Sequence, residues 1–284
     1  MKKFFFILLL SGCNIINNDT DNEKKILILV SVEPYIEMVK EIAQDKVNVI
    51  SVIPHGVDPH NWEPTISKIG KLNDATAWFT IGESFENTLY KKLKEKNQNL
   101  IKIDLLSTIE KIQSLDMCPN CSDTHAWLSP KDDIKQGEII YNFLSAAMPE
   151  YDNLFSKNFN LLKNRLIELD KNIKNTLASY KGKILLTTHG AYAYFCRDYG
   201  LTQIVISPFH GQEPRSKSIV NLINDLKKKN NSIAVIFLQP NHNNKPTIKI
   251  AEQFSIPTHV NDPYKQNYIK TIEDIANDIT TNGE

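Results

Sequence analysis

Short apolar runs rich in β-branched residues recur at 25–32, 47–53, 77–81 and 100–104, each followed by a longer stretch that mixes polar and apolar positions. The same alternation returns at 183–188, 203–206, 232–238 and 256–260. Strand then helix, repeated, predicts parallel sheets covered by helices. The expected fold class is α/β, with two lobes that each carry a four-stranded, mostly parallel sheet.

Between the two sets, the segment from about Pro149 to Tyr180 holds no glycine and no later proline. Its apolar residues fall at Phe155, Phe159, Leu162, Leu166, Leu169, Ile173 and Leu177. Steps of four and three mark one face of a helix. Roughly 30 residues at about 1.5 Å each give a helix near 45 Å long, more than either lobe needs, so the segment predicts a rigid spine between the lobes. A coiled-coil dimer helix competes with this, but there is a single such segment and its charges follow no e/g pattern. The expected division is 1–12 leader, 13–24 tether, 25–148 N-terminal lobe, 149–181 linking helix and 182–284 C-terminal lobe.

The leader places Lys2 and Lys3 before an apolar run from Phe4 to Leu10, with Ser11 and Gly12 ahead of Cys13, the order of an export signal. The run is too short to span a bilayer, which takes about 20 apolar residues. Leu10-Ser11-Gly12-Cys13 resembles a bacterial lipobox, which implies lipidation of Cys13. Residues 14–23 are polar and suit a flexible tether.

Charge and cysteine content narrow the partners. Lys+Arg and Asp+Glu balance at 33 each, so no basic field favours nucleic acid. Four cysteines are too few for a disulfide scaffold in a chain of this length. Cys118 and Cys121 form a C-P-N-C pair, a candidate local disulfide in an oxidising compartment; auxiliary soft-metal binding and a redox role are the alternatives, the latter needing a helix that opens directly after a strand. Cys196 suits a small core residue.

In open α/β sheets ligands bind beyond the carboxyl ends of the strands. His60, His125, His189 and Asp262 all follow such ends, two in each lobe, and three imidazoles with one carboxylate complete a tetrahedral shell for a borderline cation such as zinc. Each residue alone is weak evidence; their joint placement points to a metal site in the cleft. Of the other histidines, His55 is expected near the cleft mouth as an auxiliary group. His259 is expected on the sheet surface, with a contact to the metal carboxylate as the alternative. His210 and His242 lie in polar loops and are expected in solvent. Trp62 and Trp127 are expected to pack around the site and keep it dry.

The motifs "DPHNWEPT" (58–65), "DTHAWLSP" (123–130), "TTHGAYAYF" (187–195), "GQEPRS" (211–216) and "VNDPY" (260–264) together resemble the solute-binding proteins of bacterial ABC importers for zinc, manganese or iron, the ZnuA and TroA types. The resemblance runs from about residue 25 to the end. It implies two α/β lobes on one long rigid helix, with His60, His125, His189 and Asp262 as metal ligands and structural roles for Glu63-Pro64 and Glu213-Pro214. It also implies Zn2+ as cargo, alternatively Mn2+ or Fe2+, an ABC permease as partner, a membrane lipid on Cys13, a monomer, and a place in the periplasm or on the outer face of the cytoplasmic membrane. Many zinc members carry a His-rich loop ahead of the second ligand; here 114–124 contains no histidine.

A zinc hydrolase is the competing class, since Glu63 stands three residues after His60 and could serve as general base. Catalytic zinc keeps an open coordination position, whereas four ligands close it here, and neither H-E-x-x-H nor H-x-x-E-H occurs. A surface adhesin is a more distant alternative. Because neutral imidazoles bind metal, affinity is expected to fall below about pH 6.

Overall fold

The computed structural model describes residues 25–116, 120–206, 214–228 and 232–281, with backbone alone at 61 and 66–68. The leader with Cys13, and Cys118, His210 and Glu213, lie outside the described residues.

Four parallel strands build the N-terminal lobe: β1 (Leu27–Val30), β2 (Asn48–Ser51), β3 (Ala77–Thr80) and β4 (Ile101–Asp104), in the order β2-β1-β3-β4. The central strands read LILV and AWFT and are almost wholly buried, the continuous apolar signature of strands covered on both faces. Helices α1 (Pro34–Ala43), α2 (Ile66–Leu72) and α3 (Ser84–Lys96) connect them. In the C-terminal lobe β5 (Ile184–Thr187), β6 (Thr202–Val205), β7 (Ile233–Leu238) and β8 (His259–Val260) repeat the plan as β6-β5-β7-β8. Each sheet therefore has its first strand inside and its second at an edge, and the carboxyl ends of β1 and β5 open at the switch point where such folds place ligands.

Helix α4 (Pro130–Ala147) follows a cap in which the Ser129 hydroxyl accepts from Asp132 N at 3.2 Å, with proline in the first turn, where its missing N–H costs nothing. Helix α5 (Asp152–Thr176) is the spine. Its 25 residues span about 37 Å at 1.5 Å per residue, shorter than the sequence pattern implied. The difference lies at the ends, which tighten into 3-10 turns at Pro149–Tyr151 and Ala178–Tyr180. All seven apolar residues of the expected stripe are buried. Gly137 of α4 faces Phe159 so closely that a Cβ there would stand 3.2 Å from the ring.

One apolar core runs through both lobes and the stripe of α5. The C-terminal sheet has a second, smaller core on its other face: Ile184, Leu186 and Ile236 point into it while Leu185 and Val235 point into the shared core, as alternation along a strand requires. Helices α6 (Ala193–Tyr199), α7 (Ser216–Lys228), α8 (Lys245–Phe254) and α9 (Tyr268–Thr281) cover the two faces. The lobes are tied across the cleft floor. Arg197 Nη2 donates to Asp132 Oδ2 at 2.7 Å, Tyr194 Oη to Asp123 O at 3.0 Å and Trp127 Nε1 to Pro263 O at 2.8 Å. Among the described residues, no helix is long and apolar enough to cross a membrane.

Candidate metal centre

Three short sequences of one kind present three rings to one point. In Asp58-Pro59-His60 the Asp58 carboxylate accepts from His60 N at 3.0 Å. In Asp123-Thr124-His125 the Asp123 carboxylate accepts from His125 N at 2.7 Å, and in Asp262-Pro263-Tyr264 the Asp262 carboxylate accepts from Tyr264 N at 3.0 Å. An aspartate that bonds the backbone two residues on makes a tight turn by itself, which fixes the ring that follows it. His189 arrives differently, directly from the end of β5. Its backbone N–H donates to Gln239 Oε1 at 2.6 Å, and Gly190 follows with no room for a side chain: a Cβ there would meet Asp116 Oδ1 at 2.9 Å and Val205 Cγ2 at 3.0 Å.

The imidazoles of His60, His125 and His189 offer donor atoms that all lie within 4.8 Å of one another. Their ring centroids are 5.0–5.5 Å apart, and their side chains are 2% exposed or less. Each Nδ1 meets a carboxylate: His60 with Glu83 at 3.1 Å, His125 with Asp123 at 2.8 Å and His189 with Asp116 at 2.7 Å. Those contacts put a proton on Nδ1 and turn each Nε2 inward, the arrangement by which carboxylates orient metal-binding histidines. The carboxylates are held in turn: Thr124 Oγ1 donates to Glu83 at 2.7 Å and Gly190 N to Asp116 at 2.7 Å. The Nε2 atoms of His125 and His189 stand 3.2 Å apart. With both Nδ1 protons committed to carboxylates, two lone pairs face each other across that gap. A cation between them would relieve the repulsion.

The charges around the rings are uneven. Burial pulls the His60 imidazole down, but the adjacent Glu83 carboxylate, with Asp58 and Asp116, overrides it and raises the pKa to about 9. Glu83 is pushed up by burial and pulled below its usual range by His60, the latter winning. His189 goes the other way: burial holds its ring neutral, helped by the neighbouring imidazoles and opposed by Asp116. Buried carboxylates surround the three rings, a field that attracts a cation and repels an anion.

Asp262 is not part of the three-imidazole group. Its turn delivers Tyr264 there instead: the hydroxyl lies 2.7 Å from His125 Nε2 and 3.1 Å from His60 Nε2, and the ring packs against Trp127 with centroids 5.6 Å apart. Asp262, Asp58 and His242 line a small cleft beside the group. The sequence expectation for His242 is corrected, because its ring is not in open solvent: it stacks on His189 at 4.9 Å between centroids and 13° between planes, and burial lowers its pKa.

His55 is exposed and pairs with Glu33 at 2.7 Å. His259 pairs with Asp278 at 3.1 Å. Trp127 packs on His125 with centroids 5.0 Å apart, and Trp62 lies edge-on to Phe85 at 5.1 Å. Glu63 is exposed. Cys121 is disulfide-bonded, and Cys196 is a buried free thiol whose pKa burial pushes far up. Glu83, Asp116 and Tyr264 have no sequence signal of their own, apart from the D-x-ring spacing that Tyr264 shares with His60 and His125.

Comparison with known proteins places these features in a family. The model of the periplasmic zinc-uptake complex component A, ZnuA, matches residues 28–282. A putative metal-binding protein of Chlamydia trachomatis serovar D is 32% identical over 278 residues, covering 97% of this chain and 98% of that protein. The manganese ABC transporter substrate-binding lipoprotein PsaA of Streptococcus mitis is 25% identical over 267 residues, covering 90% of this chain and 85% of its own. A crystal structure of a ZnuA deletion mutant with zinc bound matches with a TM-score of 0.81 at 28% identity, covering 91% of this chain and 98% of that one.

Proposed function

We propose, from the premise that this chain belongs to the family of periplasmic zinc-uptake component A proteins, that it is the extracytoplasmic solute-binding component of an ABC importer. It captures a divalent transition metal, zinc first, and gives it up to a membrane permease. The observation that carries this is the convergence of three buried imidazoles whose Nδ1 atoms are each held by a carboxylate. His60, His125 and His189 are the nitrogen ligands and Asp262 the carboxylate that completes the shell, reached when the Tyr264 hydroxyl leaves the His60 and His125 nitrogens. Cys13 holds the chain to the membrane through a lipid, and the protein performs no chemical step on its cargo.

Three nitrogen donors and one carboxylate suit zinc, whose sites are built from imidazole, thiolate and carboxylate, better than manganese, which prefers oxygen. Manganese is the second candidate because a manganese-binding lipoprotein is among the similar proteins. Chelator competition at pH 7.5 with Zn2+ and Mn2+ separates the two: zinc should bind at least about 100-fold more tightly, in line with the order of divalent affinities at nitrogen sites. Tighter manganese binding would reassign the cargo.

A further inference from the structure

Residues 261–264 carry two groups for one place at the imidazoles. Tyr264 touches His125 and His60 through its hydroxyl, and Asp262 stands beside the three rings, outside their group. Between them lies Pro263, buried while both neighbours are half-buried. Each lobe holds this segment at a separate point. From the N-terminal lobe, Trp127 Nε1 donates to Pro263 O at 2.8 Å. The indole is fully buried and packs on the rings of His125 and Tyr264, with centroids 5.0 and 5.6 Å apart. From the C-terminal lobe, Tyr192 Oη donates to Asn261 Oδ1 at 2.9 Å, and Asn261 N donates to Leu238 O at 3.0 Å. Trp127 follows His125 by two residues and Tyr192 follows His189 by three, so each anchor belongs to the short stretch that delivers one of the rings.

We propose that Trp127 and Tyr192 are positioning residues that make Pro263 a pivot, about which Tyr264 leaves the imidazoles as Asp262 enters. This rests on Asp262 being the fourth ligand. Proline fixes its own φ, and the bond from Tyr264 N to Asp262 Oδ1 closes the turn, so residues 262–264 move as one piece and leave Oδ2 for the cation. With Pro263 O and Asn261 both pinned, the freedom left to that piece is rotation, and rotation carries its two flanks in opposite senses. A cation that takes the Nε2 atoms ends the hydroxyl contacts. The Trp127 bond uses no ligand atom, so it survives that step and keeps the carboxylate within reach. Neither anchor touches the cation; both act through Asp262.

Double-mutant cycles read by chelator competition with Zn2+ test the pivot. Trp127→Phe and Tyr192→Phe each remove one donor and keep an aromatic ring, and Asp262→Asn removes the charged ligand while keeping an oxygen for Tyr264 N. Alone, each anchor variant should lose about tenfold in affinity, the low end for a partner that orients a metal ligand. Combined with Asp262→Asn, either should lose less than about twofold more, because residues that act through one another are not additive. The visible absorption of bound Co2+, which reports coordination number and geometry, should shift in both anchor variants toward that of Asp262→Asn. The same loss in both backgrounds overturns the pivot, since that is what mere support of the fold would give, and so does no loss in the parent background. If Trp127→Phe does not fold, the Tyr192→Phe cycle decides. Failure of the ligand assignment is read separately: Asp262→Asn would then match the parent in zinc affinity and in Co2+ spectrum, which removes Asp262 from the shell and the pivot with it.

Discussion

The Tyr264 hydroxyl stands between the Nε2 atoms of His125 and His60, 2.7 Å from one and 3.1 Å from the other. It fills the direction from which a fourth ligand would approach, and in doing so it contacts two buried nitrogens at once. The metal must displace it. Tyr264→Phe removes the competitor and takes from both nitrogens their hydroxyl contact in the metal-free state. Such a loss costs the folded protein about 1–3 kcal/mol, and the same free energy returns as tighter metal binding, about tenfold or more. Thermal unfolding of the metal-free variant should show the destabilisation and chelator competition the gain. A fall in affinity would instead make the hydroxyl a ligand.

Glu83 and Asp116 act through the histidines they hold. Glu83→Gln and Asp116→Asn keep the shape of each side chain but remove the charge that orients and polarises the ring. Partners of this kind are worth 10- to 100-fold in metal affinity, so each variant should lose about that much by chelator competition while its far-UV circular dichroism stays that of the parent.

The Glu83 change also has a pH readout. In the metal-free protein the His60 pKa is raised to about 9, burial being outweighed by Glu83. Stabilisation from that pair is full below the ordinary histidine pKa of about 6.5 and is lost as pH rises through 9. Histidine side-chain titration by NMR should find one metal-free imidazole that stays protonated well above pH 7, and that resonance should titrate far lower in Glu83→Gln.

Asp133 carries a different pH dependence, away from the cleft. Its carboxyl is fully buried on α4, neither oxygen has a hydrogen-bond partner among the described residues, and burial followed by the nearby Asp132 raises its pKa well above normal. A carboxyl raised on folding contributes stability at pH below its unfolded value of about 3.9 and loses it as pH rises toward the raised value. Asp133→Asn should therefore unfold at a higher temperature than the parent at pH 8 and at a similar temperature near pH 4. A lower melting temperature at pH 8 would mean that the charged form is paired in the fold.

Gly190 is needed for close approach. A Cβ there would stand 2.9 Å from Asp116 Oδ1 and 3.0 Å from Val205 Cγ2, so Gly190→Ala forces Asp116 away from His189. Overpacking of this kind costs about 1–3 kcal/mol of stability, and metal affinity should fall with it. Differential scanning calorimetry and competition titration on one sample check both.

Much of the frame could be read in the chain itself. The eight strands appear within one or two residues of the apolar runs, except that β8 shrinks to His259–Val260, and the stripe from Phe155 to Leu177 is the buried face of the spine. These are local patterns of period two and 3.6, and local patterns survive folding. His60, His125 and His189 were legible because strand ends in such sheets converge. Glu83, Asp116 and His242 were not, because each meets its histidine 23, 73 and 53 residues away in sequence, where no periodicity reaches. His242 sits among polar residues and reads as solvent-exposed, although its ring lies on His189. Tyr264 was in view within the D-P-Y motif, but the carboxylate beside it drew the chemical expectation.

The most direct measurement is metal content and stoichiometry by elemental mass spectrometry on protein comprising residues 25–284, purified without added metal, beside the His60→Ala, His125→Ala, His189→Ala and Asp262→Ala variants. One equivalent of zinc in the parent, lost or weakened in each variant, is the expected result. No metal in the parent after reloading at neutral pH, or a full equivalent retained in all three histidine variants, would contradict the three-imidazole site.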